Sequence, residues 1–456
     1  MAGKKNQAQL TLEEKLQQAL IPEAEQPYKI PANWCWVKAG TVTNIFNGNS
    51  INEKIKAEKY YGKKEGLIFI ATKDIGFDNV VNYETNVKIT DYQNFKIAPA
   101  NTALLCIEGG SSGRKVGFVD QNVCFGNKLC AFASNIINSK FIYYILQSQC
   151  FYDQFNNKRH GLIGGVSIKD LAEMYFMIPP LAEQQRIVER IESLFAKLDE
   201  AKENLQNVLD GFETRKAAIL HKAFTGELTA NWRKQYGVSM DSWEEKCVSE
   251  ICKNLKYGTS KKSKLNGLVA VIRMGNLQNG EIDWNNLAYT DDEEDIKKYS
   301  LKKGDVLFNR TNSPELVGKT AIYRGEFPAI YAGYLIKLDY NENIINGEYF
   351  NYLMNSIRAK EYCQLVKTDG VSQSNINAKK IGAFQIPVPK LEEQTEIVRI
   401  IDGLFAKEQQ AKELAENALA KIELIKKAIL ARAFRGELGT NNPADEPAVE
   451  LLKRVL

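Results

Sequence analysis

A long internal repeat constrains this chain more than any other feature. Residues 181–228 recur as residues 391–438, at a constant offset of 210 and without a gap. Along that register 25 of 48 positions are identical, where unrelated segments of ordinary composition share roughly three. A repeated element separated by unlike material implies a protein with two equivalent halves, built to engage something bipartite.

Both copies carry apolar residues at alternating three- and four-residue spacing. In the first copy these are Ile187, Ile191, Leu194, Leu198, Ala201, Leu205, Val208, Phe212 and Ile219; in the second they are Ile401, Leu404, Ala411, Ala415, Ala418, Ile422, Ile425 and Ile429. A narrow seam of this kind predicts a left-handed coiled coil. Some 44 helical residues span roughly 66 Å. The alanines of the second copy favour close approach of a partner helix. One intramolecular antiparallel pair satisfies both copies and carries a pseudo-two-fold axis.

The material between the helices has a different grain. Residues 31–180 hold short apolar runs, such as Leu67-Ile-Phe-Ile70, Thr102-Ala-Leu-Leu-Cys-Ile107, Val116-Gly-Phe-Val119 and Leu129-Cys-Ala-Phe132, bounded by Gly and Asn. That pattern predicts strands, with one helix over 140–154. Residues 241–389 repeat the order loosely: Gly48-Asn-Ser50 is answered by Gly258-Thr-Ser260, Leu104-Leu105 by Val306-Leu-Phe308, and the helix by Glu348–Asn355. The expected fold class is α+β: two globular mixed α/β blocks separated by two long helices in an antiparallel coiled coil. An arm (1–30) precedes the first block. Within it Thr11-Leu-Glu-Glu14 forms a capping box and Pro22 ends the helix. A linker (229–240) follows the first helix. A tail (439–456) follows the second, with an amphipathic end lined by Val449, Leu452 and Leu456.

Composition removes several functions. No run of about 18 apolar residues exists to span a membrane, and the N-terminus lacks the apolar core of a secretion signal. Eight cysteines without a CxxC pair fit reduced cytoplasmic thiols rather than a zinc site. Only His160 and His221 are present, too few for the usual metal or triad constellations. Gly318-Lys319-Thr320 mimics the end of a phosphate loop, but Ser313 stands where its first glycine belongs and Pro314 falls inside it. Asn442-Pro443 lacks the Pro-aromatic pair that an amino-methyltransferase requires, and Glu244-Glu-Lys246 fits a solvated surface. No catalytic residue, metal ligand or cofactor site emerges.

Loops that mix basic, amide and hydroxyl side chains with glycine fit nucleic-acid contact better. In the first block the candidates are Asn49, Ser50, Lys73, Ser111, Ser112, Arg114, Lys115, Lys158 and Arg159. In the second they are Thr259, Ser260, Lys261, Lys262, Lys264, Arg273, Asn276, Asn309, Arg310, Thr311, Asn312, Ser313, Lys319, Ser372 and Gln373. Arg310 and Arg273 suit bidentate contacts to guanine, whereas Lys261, Lys262 and Lys264 suit phosphates. The net charge of +4 is too small to decide the matter alone.

The chain resembles the specificity subunits of type I restriction–modification enzymes. The resemblance is carried by Ile-Pro-Pro-Leu-Ala-Glu-Gln-Gln-Arg-Ile-Val (178–188) and Val-Pro-Lys-Leu-Glu-Glu-Gln-Thr-Glu-Ile-Val (388–398). It also rests on Leu-Phe-Ala-Lys at 194–197 and 404–407, Ala-Phe-x-Gly-Glu-Leu at 223–228 and 433–438, and Thr-Ala-Asn-Trp-Arg at 229–233. The tail contributes Asp-Glu-Pro-Ala (445–448) before Leu-Leu-Lys-Arg (451–454). This likeness implies two target-recognition domains, each reading half of a split, asymmetric site in double-stranded DNA. It implies that the helices set the spacer and bind two modification subunits, which use S-adenosylmethionine to methylate adenine N6. Restriction subunits using ATP and Mg2+ would translocate and cleave. None of that chemistry would belong to this chain.

The counterpart of Arg310 in the first block falls near Glu108, with Arg114 and Lys115 later, so the two blocks are expected to read different sequences. Two rival readings remain. A coiled-coil protein-interaction scaffold without DNA readout explains the heptads but not the paired basic loops. A self-sufficient nuclease or methyltransferase needs motifs that are missing.

Overall fold

A computed structural model describes residues 11–159 and 164–456; His160 and the first ten residues of the arm lie outside them. The chain divides into two compact units. One joins the described residues up to Asn204 with Ala418–Leu456, and the other is Leu205–Asn417. Each long helix is therefore shared between the units.

In the first unit the central sheet has four antiparallel strands in the order Asn44–Asn47, Leu129–Ala133, Thr102–Cys106, Val116–Val119. Thr102–Cys106 is buried along its whole length, which is why it reads as an unbroken apolar run rather than an alternating one. A second sheet orders Lys88–Ile89, Leu67–Ile70, Val123–Phe125 and Ile97–Ala98, with Leu67–Ile70 parallel to Val123–Phe125. The predicted helix over 140–154 is two helices, Ser139–Leu146 and Gln149–Asn157. Ser148 divides them by capping the second, its hydroxyl accepting from the Phe151 N–H.

The second unit repeats the central sheet strand for strand: Cys252–Tyr257, Leu335–Tyr340, Val306–Asn309, Thr320–Ile322, again antiparallel throughout. Helices Gly347–Met354 and Ile357–Val366 follow. A three-stranded sheet holds Val269–Ile272 between Ala288–Thr290 and Ala329–Tyr331. A smaller one joins Thr311–Asn312, Ser374–Asn375 and Thr368–Asp369.

Each recognition block enters and leaves its unit through one antiparallel strand pair. Cys35–Lys38 pairs with Tyr175–Ile178, and Glu244–Cys247 pairs with Gln385–Val388. A long helix begins just beyond each second strand: Leu181–Asp210 in one case, Leu391–Ala433 in the other. The Glu-Gln pair in the first turn is buried in both. Gln184 donates to the Pro179 carbonyl and accepts from Asn138 N–H; Gln394 donates to the Pro389 carbonyl and accepts from Asn346 N–H. Asn138 and Asn346 in turn cap the helices that start after them. The repeated Pro-x-Leu-x-Glu-Gln pattern is thus a hydrogen-bonded joint between block and helix.

The first helix is interrupted at Gly211 and resumes as Phe212–Phe224. The second runs unbroken past the equivalent Lys421, consistent with the poor helix propensity of glycine. Antiparallel pairing shows inside each unit separately. In the first, Lys426 reaches Asp199 at 2.6 Å and Lys202 reaches Glu423 at 3.5 Å. In the second, Arg215 reaches Glu408 at 2.8 Å, Lys412 lies over the Phe212 ring, and Lys216 over that of Phe405.

The seam differs from the expected one at several positions. Ile187, Ile191, Phe212, Ile401 and Ile422 are buried, while Leu194, Leu198, Leu205, Ile219, Leu404 and Ile429 are half-buried. Ile425 and Val208 are exposed instead, at 44% and 39%, and Ala411 is exposed with them. Lys412 and Lys426 take the half-buried places beside them. Their aliphatic stems cover the seam while each ammonium meets an aromatic face, Phe212 or Phe195.

The tail forms a helix, Ala448–Lys453, whose Ala448, Leu451 and Leu452 are buried, with Val449 and Leu456 packed at the margin of the first unit's core. The linker folds as well, into Ala230–Tyr236. The capping box of Thr11 and Glu14 is present. All eight cysteines are free thiols, and no helix among the described residues is long and apolar enough to cross a membrane.

Candidate nucleic-acid interface

The two central sheets carry equivalent loops, and hydrogen bonds fix the equivalence residue by residue. Cys106 N–H donates to the Lys115 carbonyl as Asn309 N–H does to that of Lys319. Gly113 N–H returns to Cys106 as Gly318 N–H returns to Asn309. Val166 N–H donates to Ile107 as Ile376 N–H donates to Arg310. The counterpart of Arg310 is therefore Ile107, one residue before the position expected from sequence. Gly48 and Gly258 are also equivalent. A Cβ on either would sit 2.0 or 2.2 Å from the carbonyl oxygen of Phe125 or Tyr331, so only glycine fits. The next residues, Asn49 and Thr259, donate their N–H groups to those same carbonyls.

In the first unit three candidates converge. Lys115 Nζ donates to the Thr72 carbonyl at 3.2 Å, tying its loop to the single turn Thr72–Asp74 that carries exposed Lys73. Arg114 and Lys115 both lie over the ring of Phe77, at 5.5 and 4.8 Å. Phe77 is itself 66% exposed. Arg114 donates to the Gly110 carbonyl, and Arg159 donates to Gly109 and Gly164. Lys158 and Ser50 are exposed. Ser111 lies 3.5 Å from the Cys106 sulfur, while Ser112 is buried with its hydroxyl unpartnered. Asn49 is engaged with the Lys96 N–H.

In the second unit the candidates separate into three groups. Thr259 and Asn276 point inward: Thr259 bonds the Asp295 carboxylate, and the Asn276 amide donates to the Asp283 and Asn285 carbonyls. Lys261 and Lys264 are held by carboxylates, Asp292 at 2.9 Å and Asp291 at 3.0 Å. The hydrogen bond to Asp292 raises the Lys261 pKa, and the reciprocal bonds lower those of Asp292 and Asp291. With these lysines in the second, solvent-facing group are Ser260, Lys262, Ser372 and Gln373, all exposed.

The third group surrounds Arg310. Its backbone is pinned by Tyr334 and Ile376, and its guanidinium lies 4.8 Å from the Tyr257 ring centroid. Asn309 and Thr311, on either side, are buried; Asn312 and Ser313 are half-buried. Lys319 donates to Gln278.

Arg310 and Arg273 differ from every other arginine of this unit. Arg215, Arg233, Arg324, Arg358 and Arg399 each meet a carboxylate. Among the described residues the guanidinium groups of Arg310 and Arg273 bond only backbone carbonyls, of Gly333 and Asn286. A guanidinium left without a carboxylate keeps its fork for an external acceptor.

Sequence reasoning missed Phe77, Tyr257 and the acids Asp291 and Asp292. The aromatics had a local signal, since Tyr257 directly precedes Gly258-Thr-Ser260. The acids had none, being some thirty residues from the lysines they hold. Among the described residues no cluster of His, Cys, Asp and Glu could hold a metal ion.

Comparison with known proteins accords with this architecture. The type I restriction modification DNA specificity domain matches twice, over residues 31–210 and 240–418, and the chain belongs to that family. It is 27% identical over 435 residues to the StySPI specificity subunit of Salmonella potsdam, covering 92% of each chain. It is equally similar, over 437 residues, to the EcoKI specificity subunit of Escherichia coli strain K12, again covering 92% of each. The fold matches the HsdS subunit from Thermoanaerobacter tengcongensis with a TM-score of 0.61 at 18% identity, covering 91% of this chain and all of that one. A chain of a structure described as the structural basis of complex assembly and conformational transition of the type I R-M system matches with a TM-score of 0.66 at 17% identity, over 90% of this chain and all of that one.

Proposed function

We propose that the chain is the DNA-reading subunit of a type I restriction–modification complex. Each unit reads one half of a split, asymmetric target in double-stranded DNA, and the long helices set the unread spacer and dock two modification subunits. The observation that carries this reading is the loop scaffold built twice on sheets of the same strand order. Both copies present arginines that meet no carboxylate among the described residues, Arg114 and Arg159 in one and Arg273 and Arg310 in the other, while the side chains at matched positions differ. Such a design contacts phosphate in the same way twice and reads bases differently in each half.

Chemistry belongs to the partners under this reading. S-adenosylmethionine on the modification subunits supplies the methyl group for adenine N6. ATP and Mg2+ on restriction subunits, up to two per complex, drive translocation and cleavage. The complex works in the cytoplasm, where its DNA lies.

The test is methylated-base sequencing of DNA from cells co-expressing this chain with its cognate modification subunit. A new split motif with N6-methyladenine on both strands is expected. A co-purifying pair that writes no motif and binds DNA without salt dependence would favour a protein-interaction scaffold instead.

A further inference from the structure

The second unit holds one arginine in a way that a mere phosphate contact does not need. Arg310 lies at the end of the buried strand Val306–Asn309. Its N–H donates to the Tyr334 carbonyl at 3.0 Å, and its own carbonyl accepts from Ile376 N–H at 2.8 Å. The guanidinium is held too: its carbon lies over the Tyr257 ring, 4.8 Å from the centroid, and one terminal nitrogen donates to the Gly333 carbonyl at 3.3 Å. Nε is buried without a partner. The base of the guanidinium is thus desolvated and fixed, and among the described residues no carboxylate neutralises it.

A flexible lysine or a mobile arginine suffices for a phosphate. Fixing the plane of a guanidinium matters when two parallel acceptors must be met at once. In the major groove that pair is guanine O6 and N7. Arg273 has less of this preparation. Its backbone is pinned as well, by the Asn276 side chain and N–H at the single turn Met274–Asn276, but the side chain is exposed and, among the described residues, its guanidinium bonds only the Asn286 carbonyl.

We infer that Arg310 is a guanine-reading residue, with Tyr257 as its positioning residue, and that the half-site read by the second unit contains a guanine specified by this pair. The first unit carries Ile107 at the equivalent position, 8% exposed, and specifies no guanine there. This inference rests on the proposed DNA recognition and adds the identity of one base to it.

Variants of the full chain, co-expressed with the modification subunit, test it by the motif each one writes. Arg310→Ala should turn one guanine of one half-site degenerate, with the other half unchanged. Tyr257→Leu should relax the same position partially, and Tyr257→Phe, which keeps the ring, should restore it. In the purified complex, replacing that guanine with 7-deazaguanine removes the N7 acceptor. This should weaken binding about tenfold for the wild type, which corresponds to one good contact, and leave Arg310→Ala indifferent.

An intact motif in Arg310→Ala overturns the assignment, as does release of the guanine by Arg273→Ala instead. Should Arg310→Ala fail to fold, wild-type binding indifferent to 7-deazaguanine at every guanine of both half-sites overturns it equally. A wild-type complex that writes no motif removes the DNA-recognition reading itself, and the inference falls with it. The two failures are therefore distinct.

Discussion

The indole N–H of Trp34 donates to the Glu183 carboxylate at 2.7 Å, and Glu183 has no exposed surface. The second unit has the same pair, Trp243 and Glu393, at 3.0 Å. The remaining partners differ. Around Glu183 they are neutral, Thr440 and Asn441 of the tail. Around Glu393 they are Thr229 and the guanidinium of Arg233. In each unit, the segment that follows a long helix closes the site.

Glu393→Gln should therefore cost more than Glu183→Gln. The first leaves Arg233 largely buried and without its counter-charge, a loss on the order of 3–5 kcal/mol. The second removes hydrogen bonds to a carboxylate from neutral donors, roughly 1.5–3 kcal/mol. Hydrogen exchange resolved by unit checks both magnitude and place. Equal losses of protection in the two variants would contradict the distinction.

Ending the chain after Gly439 should loosen the first unit and spare the second. It removes Thr440, Asn441, the Arg186–Asp445 ion pair, and buried Leu451 and Leu452. The leucines alone contribute about 3–6 kcal/mol at 1.5–3 for each side chain. Protection lost evenly across both units would show that the tail acts some other way.

Asp291→Asn and Asp292→Asn should tighten DNA binding and steepen its salt dependence. Asp291→Asn frees Lys264 from its carboxylate, and Asp292→Asn removes the nearest of the three carboxylates around Lys261, leaving Glu294 and Asp295 at 3.5 Å. Each new phosphate contact adds about 0.9 to the slope of log affinity against log salt. A slope that stays the same would mean that Lys261 and Lys264 lie away from the DNA.

Seven residues inserted into each long helix at paired heights should widen the unread spacer. The added rise is about 10.5 Å, or about three base pairs at 3.4 Å each. Methylated-base sequencing reads the new spacing directly, and a constant spacer would remove the ruler role.

Alkaline pH should destabilise the fold through its thiols. Burial pushes Cys35, Cys130, Cys252 and Cys363 up to about 12 and Cys124 to about 11, from an ordinary 9.0. Below pH 9 both folded and unfolded thiols are protonated and the contribution is complete. Between 9 and about 11 only the unfolded thiols ionise, so stability falls as pH rises. Melting temperatures measured from pH 7 to 11 should be flat at first and then decline; a flat profile to pH 11 would contradict it.

The repeat and the helices were legible in the sequence because each carries a period, and the central strands because they stand out as short apolar runs bounded by Gly and Asn. So were the matched glycines, Gly48 and Gly258, since close backbone approach admits one residue type. The break at Ser148 was masked by apolar residues on both sides. The seam misled at Ile425 because composition favoured isoleucine, whereas the packed register selects Lys426 and its long stem. The ties of Lys261 and Lys264 to distant acids, and of Glu183 to the tail, depend on chain return and have no local sign. Arginines tied to a carboxylate and arginines without one look alike in sequence. They part only where the fold supplies the carboxylate or withholds it.

The strand pair that closes each block has an evolutionary consequence. Because Cys35–Lys38 and Tyr175–Ile178 lie side by side, as do Glu244–Cys247 and Gln385–Val388, everything between them begins and ends at one doorway. A gene segment exchanged between relatives at these boundaries delivers a new reading surface to an unaltered helical frame.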